Sequence, residues 1–276
     1  MKKIALAAAV MAVMASGSAS AADLGRPIYK APVMSAVSVY NWSGFYIGGF
    51  VGGAFTDRDV TATELGADPG GVAVAGSRYN AIGSFAYPLD NSFIGGGTIG
   101  WNWHVPGSMW VFGIEGEVGY LRLRGSAADP VSGGLDTVSS TRMGDWYGMI
   151  TGRVGIAWDR TLLYVKGGGA YVERSAQILD TCIVAPCGPS TINATGSSDQ
   201  FTWTAGGGIE FALSQSWTIK AEYMYIDTRD SITSCGAAGG ALAGSTYCWN
   251  HDLPGLHTAK IGLNYKFGGG PIMASY

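Results

Sequence analysis

The chain has 276 residues and a formal net charge of −3; 47% of its residues are hydrophobic and only 13% are charged. A soluble domain carries about 25% charged residues, and an aromatic content of 12% excludes a disordered chain. Transmembrane helices need apolar runs of about 18–20 residues, whereas the uncharged stretch 33–56 is interrupted by five glycines. Composition therefore predicts a membrane protein that spans the bilayer as a closed β-barrel.

The first 22 residues have the pattern of a cleaved secretory signal peptide. Lys2 and Lys3 form a short positive region, an apolar run of about a dozen residues follows, and the small residues 19–22 provide a cleavage site. Export places the mature chain in a compartment where disulfides form. We expect residues 23–41 to be an extended periplasmic lead-in to the barrel.

Alternation of apolar and polar residues with a period of two appears eight times between residues 42 and 267. Each segment has about 11–14 residues, which is enough for a tilted strand to cross the hydrocarbon layer. The predicted strands are 42–55, 93–104, 110–123, 145–158, 162–173, 201–213, 217–228 and 257–267. Residues 268–276 are predicted to form a short C-terminal extension.

The connectors between these segments alternate between short and long. Residues 105–109, 159–161 and 214–216 are short, whereas the other four connectors have about 21 to 37 residues. Short periplasmic turns and long extracellular loops are typical of outer-membrane barrels. The fold class predicted is therefore an all-β, eight-stranded antiparallel up-and-down barrel with four long extracellular loops and both termini in the periplasm.

The charged residues within the strands fall on one face. In the third predicted strand, Trp110, Phe112 and Ile114 share a face, whereas Glu115 and Glu117 lie on the other. A charge on the lipid face costs about 2–4 kcal/mol at the midplane, so we expect these charges in the lumen, where they would form a salt-bridged plug. The predicted lumen charge network is Glu115, Glu117, Arg153, Lys166, Glu210, Lys220, Glu222, Lys260 and Lys266. A narrow conduction path lined by the same charges is one alternative; acid–base catalysis by Glu115 and Glu117 is a weaker one, because they face a closed lumen with no evident cleft.

Aromatic residues on the lipid face cluster beside the short connectors. Such clustering is typical of the aromatic girdle at a membrane interface. The predicted periplasmic girdle is Trp101, Trp103, Trp110, Trp158, Trp217, Tyr265 and Phe267.

The four cysteines lie in pairs in the third and fourth long connectors. Because the chain is exported, we expect the disulfides Cys182–Cys187 and Cys235–Cys248. Pairing between the two loops, free thiols and a metal site remain alternatives, although the spacing resembles no compact structural zinc site.

No motif for catalysis accompanies the histidines. His104, His251 and His257 are expected to be solvated, since no serine motif is found near the His251-Asp252 pair. We therefore expect no enzyme activity, no catalytic or metal-binding residue and no cofactor. The four long connectors carry a net negative charge, which argues against a nucleic-acid partner.

Several segments resemble a known family. Asn41-Trp42-Ser43-Gly44-Phe45-Tyr46-Ile47-Gly48-Gly49 is similar to the first strand of the small outer-membrane β-barrel family of surface-immunogenic, porin-like proteins of Gram-negative bacteria. The segments 164–171, 217–223 and 264–267 resemble its fifth, seventh and closing strands. The resemblance implies an eight-stranded barrel with no catalytic residues. It also implies an aromatic residue that the barrel assembly machinery recognises, for which Phe267 and Tyr276 both remain candidates.

These observations favour a surface protein of the cell outer membrane, in contact with outer-membrane lipid, with a structural or antigenic role and contacts made through its loops. A small passive porin for ions or small solutes is the first alternative. Binding of haem or of a host ligand by the extracellular loops is a further alternative.

Overall fold

A computed structural model describes residues 40–67, 84–128, 137–182, 189–240 and 243–268. The predicted signal peptide, residues 23–39 of the lead-in and residues 269–276 lie outside the described residues. Within the described ranges, no helix is both long and apolar enough to cross a membrane.

Twelve antiparallel strands make up the described part of the chain. They are β1 (Gly44–Thr56), β2 (Val60–Ala67), β3 (Ser84–Tyr87), β4 (Ser92–His104), β5 (Trp110–Ala128), β6 (Thr137–Trp158), β7 (Thr161–Cys182), β8 (Ser190–Ala212), β9 (Trp217–Ile226), β10 (Ser231–Ala237), β11 (Thr246–Asp252) and β12 (Leu256–Lys266).

Eight of these strands close into a ring, in the order β1, β4, β5, β6, β7, β8, β9, β12. Strand β12 returns to β1 with Tyr46 opposite Lys266 and Thr56 opposite Leu256, which closes the ring. The remaining junction, β8 with β9, runs from Thr204 to Ala212. The predicted eight-stranded antiparallel barrel is thereby confirmed. Closure leaves the ring without a free strand edge, as a bilayer requires.

At the end of the ring opposite the short turns, the sheet continues into the segments that the sequence predicts to be long loops. Strands β5 to β8 have 19 to 23 residues each, and β10, β11, β2 and β3 extend the sheet sideways from β8. We call this part the extracellular extension: residues 122–128, 137–145, 173–182 and 190–200 together with β2, β3, β10 and β11.

The alternation of side chains inverts between the two parts. In the ring the apolar face is outside, so that Ile114 and Ile150 are exposed while Glu115 and Arg153 are buried. In the extension the apolar face is inside, and Ile178, Ile192 and Trp249 form part of a buried cluster. Most outward side chains of the extension are polar, as expected for a sheet whose outer face contacts water. The predicted strands 110–123, 145–158, 162–173 and 201–213 are therefore shorter than β5 to β8, because the apolar-outside pattern covers only their ring portions.

The ends of the ring carry aromatic residues. Trp101, Trp103, Trp110, Trp158 and Trp217 are exposed at the end with the short turns. Trp217 and Phe267 both pack edge-to-face against Tyr265 at ring-centroid distances of 5.1 and 4.9 Å. The structure thus places all seven residues of the proposed periplasmic girdle at one end of the barrel.

One disulfide joins two strands of the extension. Cys235 on β10 and Cys248 on β11 are directly opposite each other and are bonded. The expected partner pair Cys182–Cys187 lies outside the residues whose side chains are described.

A lysine substitution on the outer face tests where the bilayer ends. Ile150→Lys places a charge on a 62% exposed site at mid-ring, and we expect a loss of about 2–4 kcal/mol of unfolding free energy in lipid vesicles. Leu179→Lys is the matched control, because Leu179 also points outwards but lies in the extension, at 49% exposure. Equal losses in urea titrations of the two variants would contradict the proposed boundary.

Candidate functional site

A layer of charged side chains crosses the lumen of the ring. Four acids and four bases from β5, β6, β7, β8, β9 and β12 point inwards, and each is less than 7% exposed. They are Glu115, Glu117, Glu210, Glu222, Arg153, Lys166, Lys220 and Lys260. We call these eight residues the lumen network. Its charges balance, as the low-dielectric interior of a narrow barrel requires.

Glu115 stands at the centre of the lumen network. Its carboxylate accepts hydrogen bonds from Lys166 Nζ at 2.7 Å and from Lys220 Nζ at 3.0 Å. Arg153 approaches to 3.9 Å. Strands β5 and β9 are four places apart in a ring of eight. The Glu115–Lys220 pair therefore spans the full diameter of the barrel.

A second group of ion pairs lies around Lys260. Its ammonium is 2.6 Å from Glu117 and 3.0 Å from Glu222. Glu222 also contacts Lys166 at 2.8 Å. Glu222 thus has more than one basic partner, as Glu115 does, and the ion pairs are continuous from β5 to β12.

Arg153 links the network to the periplasmic side of the lumen. Its guanidinium contacts Glu210 at 3.1 Å and donates from Nε to Asn102 at 2.8 Å. The rings of Tyr46 and Tyr164 flank it, with centroids at 4.9 and 5.1 Å. Aromatic faces stabilise a buried cation where water is excluded.

Three tyrosines complete the hydrogen bonding of the carboxylates, and sequence reasoning missed their role. Tyr46 donates to Glu115 at 2.7 Å, Tyr147 to Glu117 at 2.7 Å, and Tyr164 to Glu222 at 2.9 Å. All three tyrosines lie on the inward face of their strands, so the alternation of residues in the sequence could have indicated this role.

Glycines on neighbouring strands make room for these rings. A Cβ atom at Gly100 would collide with Tyr46, at Gly119 with Tyr147, and at Gly208 with Tyr164.

Lys266 does not join the lumen network, although it was predicted to. It is buried near the periplasmic end, where its ammonium donates to the carbonyl of Asn41 and lies 4.1 Å from the centroid of the Tyr40 ring. Tyr40 and Trp42 pack there against Leu162 and other apolar side chains. This aromatic layer covers the lumen network from below.

An apolar layer covers the lumen network from above. Side chains from the ring and the extension form one buried cluster that includes Leu121, Met143, Val172 and Ile226. The lumen is thus filled by three successive layers, namely aromatic, charged and apolar.

Oxygen atoms of Glu115, Glu117 and Glu222 come within 4.8 Å of one another. Such a triad could in principle ligate a cation. Here, however, the ammonium groups of Lys166, Lys220 and Lys260 contact the same oxygens. The positive charge that three carboxylates need is therefore supplied by the protein itself, and the donor set does not fit a metal ion.

The expectation that His251 is solvated is wrong. It is fully buried in the extension, where Nε2 lies 3.2 Å from Ser139 Oγ and Nδ1 lies 3.4 Å from Ser234 Oγ. Tyr87 bonds Ser139 at 2.8 Å and thereby extends the cluster to β3. Ser234 on β10 is only 17 residues from His251, but Ser139 on β6 is 112 residues away and Tyr87 lies on β3, so no local motif could have revealed the cluster.

The Ser139–His251 contact resembles part of a hydrolytic site but lacks its other requirements. A nucleophile must reach a substrate, and Ser139, Ser234 and His251 are each completely buried. Among the described residues, no carboxylate bonds the His251 ring. The cluster therefore acts as a hydrogen-bonded support of the extension.

Comparison with known proteins agrees with this geometry. A family model for the outer membrane protein beta-barrel domain matches residues 5–267. The 31 kDa outer-membrane immunogenic protein of Brucella melitensis is 28% identical over 282 residues, covering 97% of this chain and all of that protein. The 22 kDa outer membrane protein of Rhizobium leguminosarum is 28% identical over 239 residues, which cover 86% of this chain and 82% of that protein.

Similarity to solved structures is more distant. The outer membrane protein OprG from Pseudomonas aeruginosa aligns with a TM-score of 0.44 and 13% identity, over 82% of this chain and 96% of that one. The outer membrane protease OmpT from Escherichia coli aligns with a TM-score of 0.43 and 10% identity, over 83% and 98% of the two chains. At these values neither structure transfers an activity to this chain.

Removing the central carboxylate should destabilise the barrel strongly. Glu115→Gln leaves the buried Lys166 and Lys220 with less negative charge beside them, and loss of one buried partner costs about 3–5 kcal/mol. The control Glu173→Gln removes an exposed carboxylate 3.6 Å from Arg142 and should cost less than about 1 kcal/mol. Urea unfolding in vesicles measures both.

A double substitution separates the ion pair from general packing. Lys220→Gln should cost less in the Glu115→Gln background than in the wild type, because the two charges are partners. Strict additivity of the two losses would contradict the proposed pair across the diameter.

The extension should become less stable in mild acid. Burial lowers the pKa of His251 below its ordinary value of 6.5. The unfolded state therefore binds a proton more readily, and stability is lost as the pH falls below about 6.5. His251→Gln keeps hydrogen-bonding groups near Ser139 and Ser234 but cannot titrate. Proteolysis of the extension at falling pH should accelerate in the wild type and much less in this variant; identical pH profiles would contradict the role of His251.

Proposed function

The chain belongs to the outer membrane protein beta-barrel domain family, and on that premise we propose that it is a non-conducting structural barrel that presents its extracellular extension at the bacterial surface. The lumen network is the observation that carries this proposal, because the Glu115–Lys220 pair crosses the whole diameter.

The filled lumen favours a structural role over passive conduction. An ion entering from the periplasm would have to displace Tyr40 and Trp42, separate paired charges and then cross an apolar layer. Each step removes contacts that stabilise the barrel itself. An eight-stranded ring has no spare cross-section beside these side chains. A porin function would therefore require a rearrangement of the interior.

We further propose that the protein has no enzymatic activity. The Ser139–His251 contact is the arrangement closest to catalytic chemistry among the described residues, and it is closed to solvent. Contacts with other molecules at the cell surface are proposed to use the outward side chains of the extension. The exposed Phe267, at the periplasmic end of the barrel, is the proposed contact for the assembly machinery.

Planar-bilayer recording tests the proposal. The refolded wild-type protein should give no discrete conductance steps, whereas an open porin recorded in the same bilayer provides the positive control. A difference in gel mobility between heated and unheated samples verifies that the barrel is folded. Stable, ion-selective steps from the folded wild-type protein would overturn the structural proposal and favour the porin.

A further inference from the structure

Three arginines gather on the outside of the barrel just above its extracellular aromatic residues. Tyr120 and Trp146 pack edge-to-face at 6.1 Å on neighbouring strands. The next outward residue after Tyr120 is Arg122, whose guanidinium lies 5.5 Å from the centroid of the Tyr120 ring. Aromatic side chains of this kind mark the membrane interface. We call Arg122, Arg124 and Arg142 the arginine cluster.

Positive charge is in excess within the arginine cluster. Arg124 lies directly opposite Arg142 on the paired strands β5 and β6, and like charges at such positions are destabilising. Asp145 is shared by Arg122 and Arg142, and Arg142 contacts Glu173 at 3.6 Å. Arg124 is exposed and forms no ion pair with any residue that the structure describes.

Arginines elsewhere on the rim are arranged differently. Arg58 makes two bonds to Asp252, at 2.8 and 3.1 Å, and Arg229 contacts Asp227 at 2.9 Å. Each has its own carboxylate. Among the residues that the structure describes, the excess of positive charge lies on the β5–β6 side of the rim, and an anionic group would relieve the repulsion there.

The backbone holds the arginine cluster in place. Gly144 has a φ of +88°, and the register of β6 against β7 shifts between Met143 and Tyr147. This bulge turns Asp145 towards Arg122 and Arg142. The amide of Arg122 donates to Ser92 Oγ at 2.9 Å, and the carbonyl of Arg124 accepts from Asp90 N at 2.8 Å. The guanidinium groups therefore extend from a fixed sheet.

An apolar groove lies on the outer wall directly beneath the arginine cluster. It encloses about 500 Å³ and includes Gly148 and Val118, which are two residues closer to the midplane than Trp146 and Tyr120 on the same outward face. Its lining also includes the glycines Gly97 and Gly116 and the apolar side chains of Ile99, Ile150, Tyr171 and Phe201.

From these two features we propose that the β5–β6 side of the barrel binds an anionic phospholipid-type molecule, with its phosphate on the arginine cluster and an acyl chain in the groove. Guanidinium groups bind phosphate oxygens through two parallel hydrogen bonds. The vertical order of phosphate site, aromatic pair and apolar groove matches the order of headgroup, interface and chain in one leaflet. A soluble phosphate or sulfated molecule would use the arginines but not the groove.

Lipid-specific fluorescence quenching tests this proposal. The wild-type barrel in phosphatidylcholine vesicles should be quenched more strongly by brominated phosphatidylglycerol than by brominated phosphatidylcholine, since Trp146 is adjacent to the arginine cluster. Arg124→Gln with Arg142→Gln should lower the relative association constant by about five-fold for each arginine removed. Arg160→Gln, in an exposed periplasmic turn, is the matched charge control and should leave it unchanged.

The groove is tested separately with Gly148→Leu. The nearest atom to a Cβ at Gly148 would be Glu117 O at 3.8 Å, so the new side chain meets no backbone clash and projects into the groove. Preference for the anionic lipid should fall although the charges are intact. In vesicles of phosphatidylcholine alone, Arg124→Gln should be at least as stable as the wild type, because the Arg124–Arg142 repulsion is removed while the ion pairs of Arg142 stay in place.

Several outcomes would overturn the proposal. These are equal quenching of the wild type by the two lipids, an equal loss of preference in Arg160→Gln, and an unaltered preference in Gly148→Leu. Competition by inorganic phosphate that abolishes the preference would assign the arginine cluster to a soluble ion and would also overturn the lipid proposal. None of these results depends on whether the barrel conducts.

Discussion

The constraint on which the structure depends is that an eight-stranded ring must fill its own lumen. Side chains from facing strands meet at its axis, so each inward polar group needs a partner from another part of the wall. Glu115 and Lys220 meet this requirement across the whole diameter. Tyrosine hydroxyls, such as that of Tyr46, donate further hydrogen bonds to the carboxylates. Inward glycines follow from the same constraint, because a Cβ at Gly100 would displace Tyr46.

The medium outside the wall determines which face of a strand is apolar. In the bilayer the outward side chains are apolar and the inward ones are polar, whereas in water the relation reverses along the same strand. Strand β7 shows both arrangements: Lys166 is buried and Val165 exposed in the ring, whereas Ile178 is buried and Gln177 exposed in the extension. A continuous sheet therefore has two hydrophobic surfaces, one facing lipid and one facing its own core.

The sequence predicts the ring well because strand parity is a local property. Counting residues alone places Glu117 and Trp110 on opposite faces of their strand. The same count along the chain predicts all eight strands of the ring. Partner choice is not local: Lys260 on β12 reaches Glu117 on β5 across the two intervening strands β1 and β4. The burial of His251 escapes prediction for the same reason, since its partner Ser139 lies on the distant strand β6. The sequence predicts loops where the extension stands because the apolar face of the extension is the inner one.

Because the extension is built from strands, it also determines what kind of epitope an antibody against this protein would bind. Exposed side chains at neighbouring positions on its surface come from segments far apart in the chain, such as Arg58 and Asp252, which are hydrogen-bonded at 2.8 Å. The disulfide between Cys235 and Cys248 joins β11, the strand of Asp252, to β10. An antibody raised against this surface would bind a conformational epitope, and a linear peptide from any one connector would reproduce little of it. Amino-acid changes at outward positions could alter such an epitope without disturbing the core beneath.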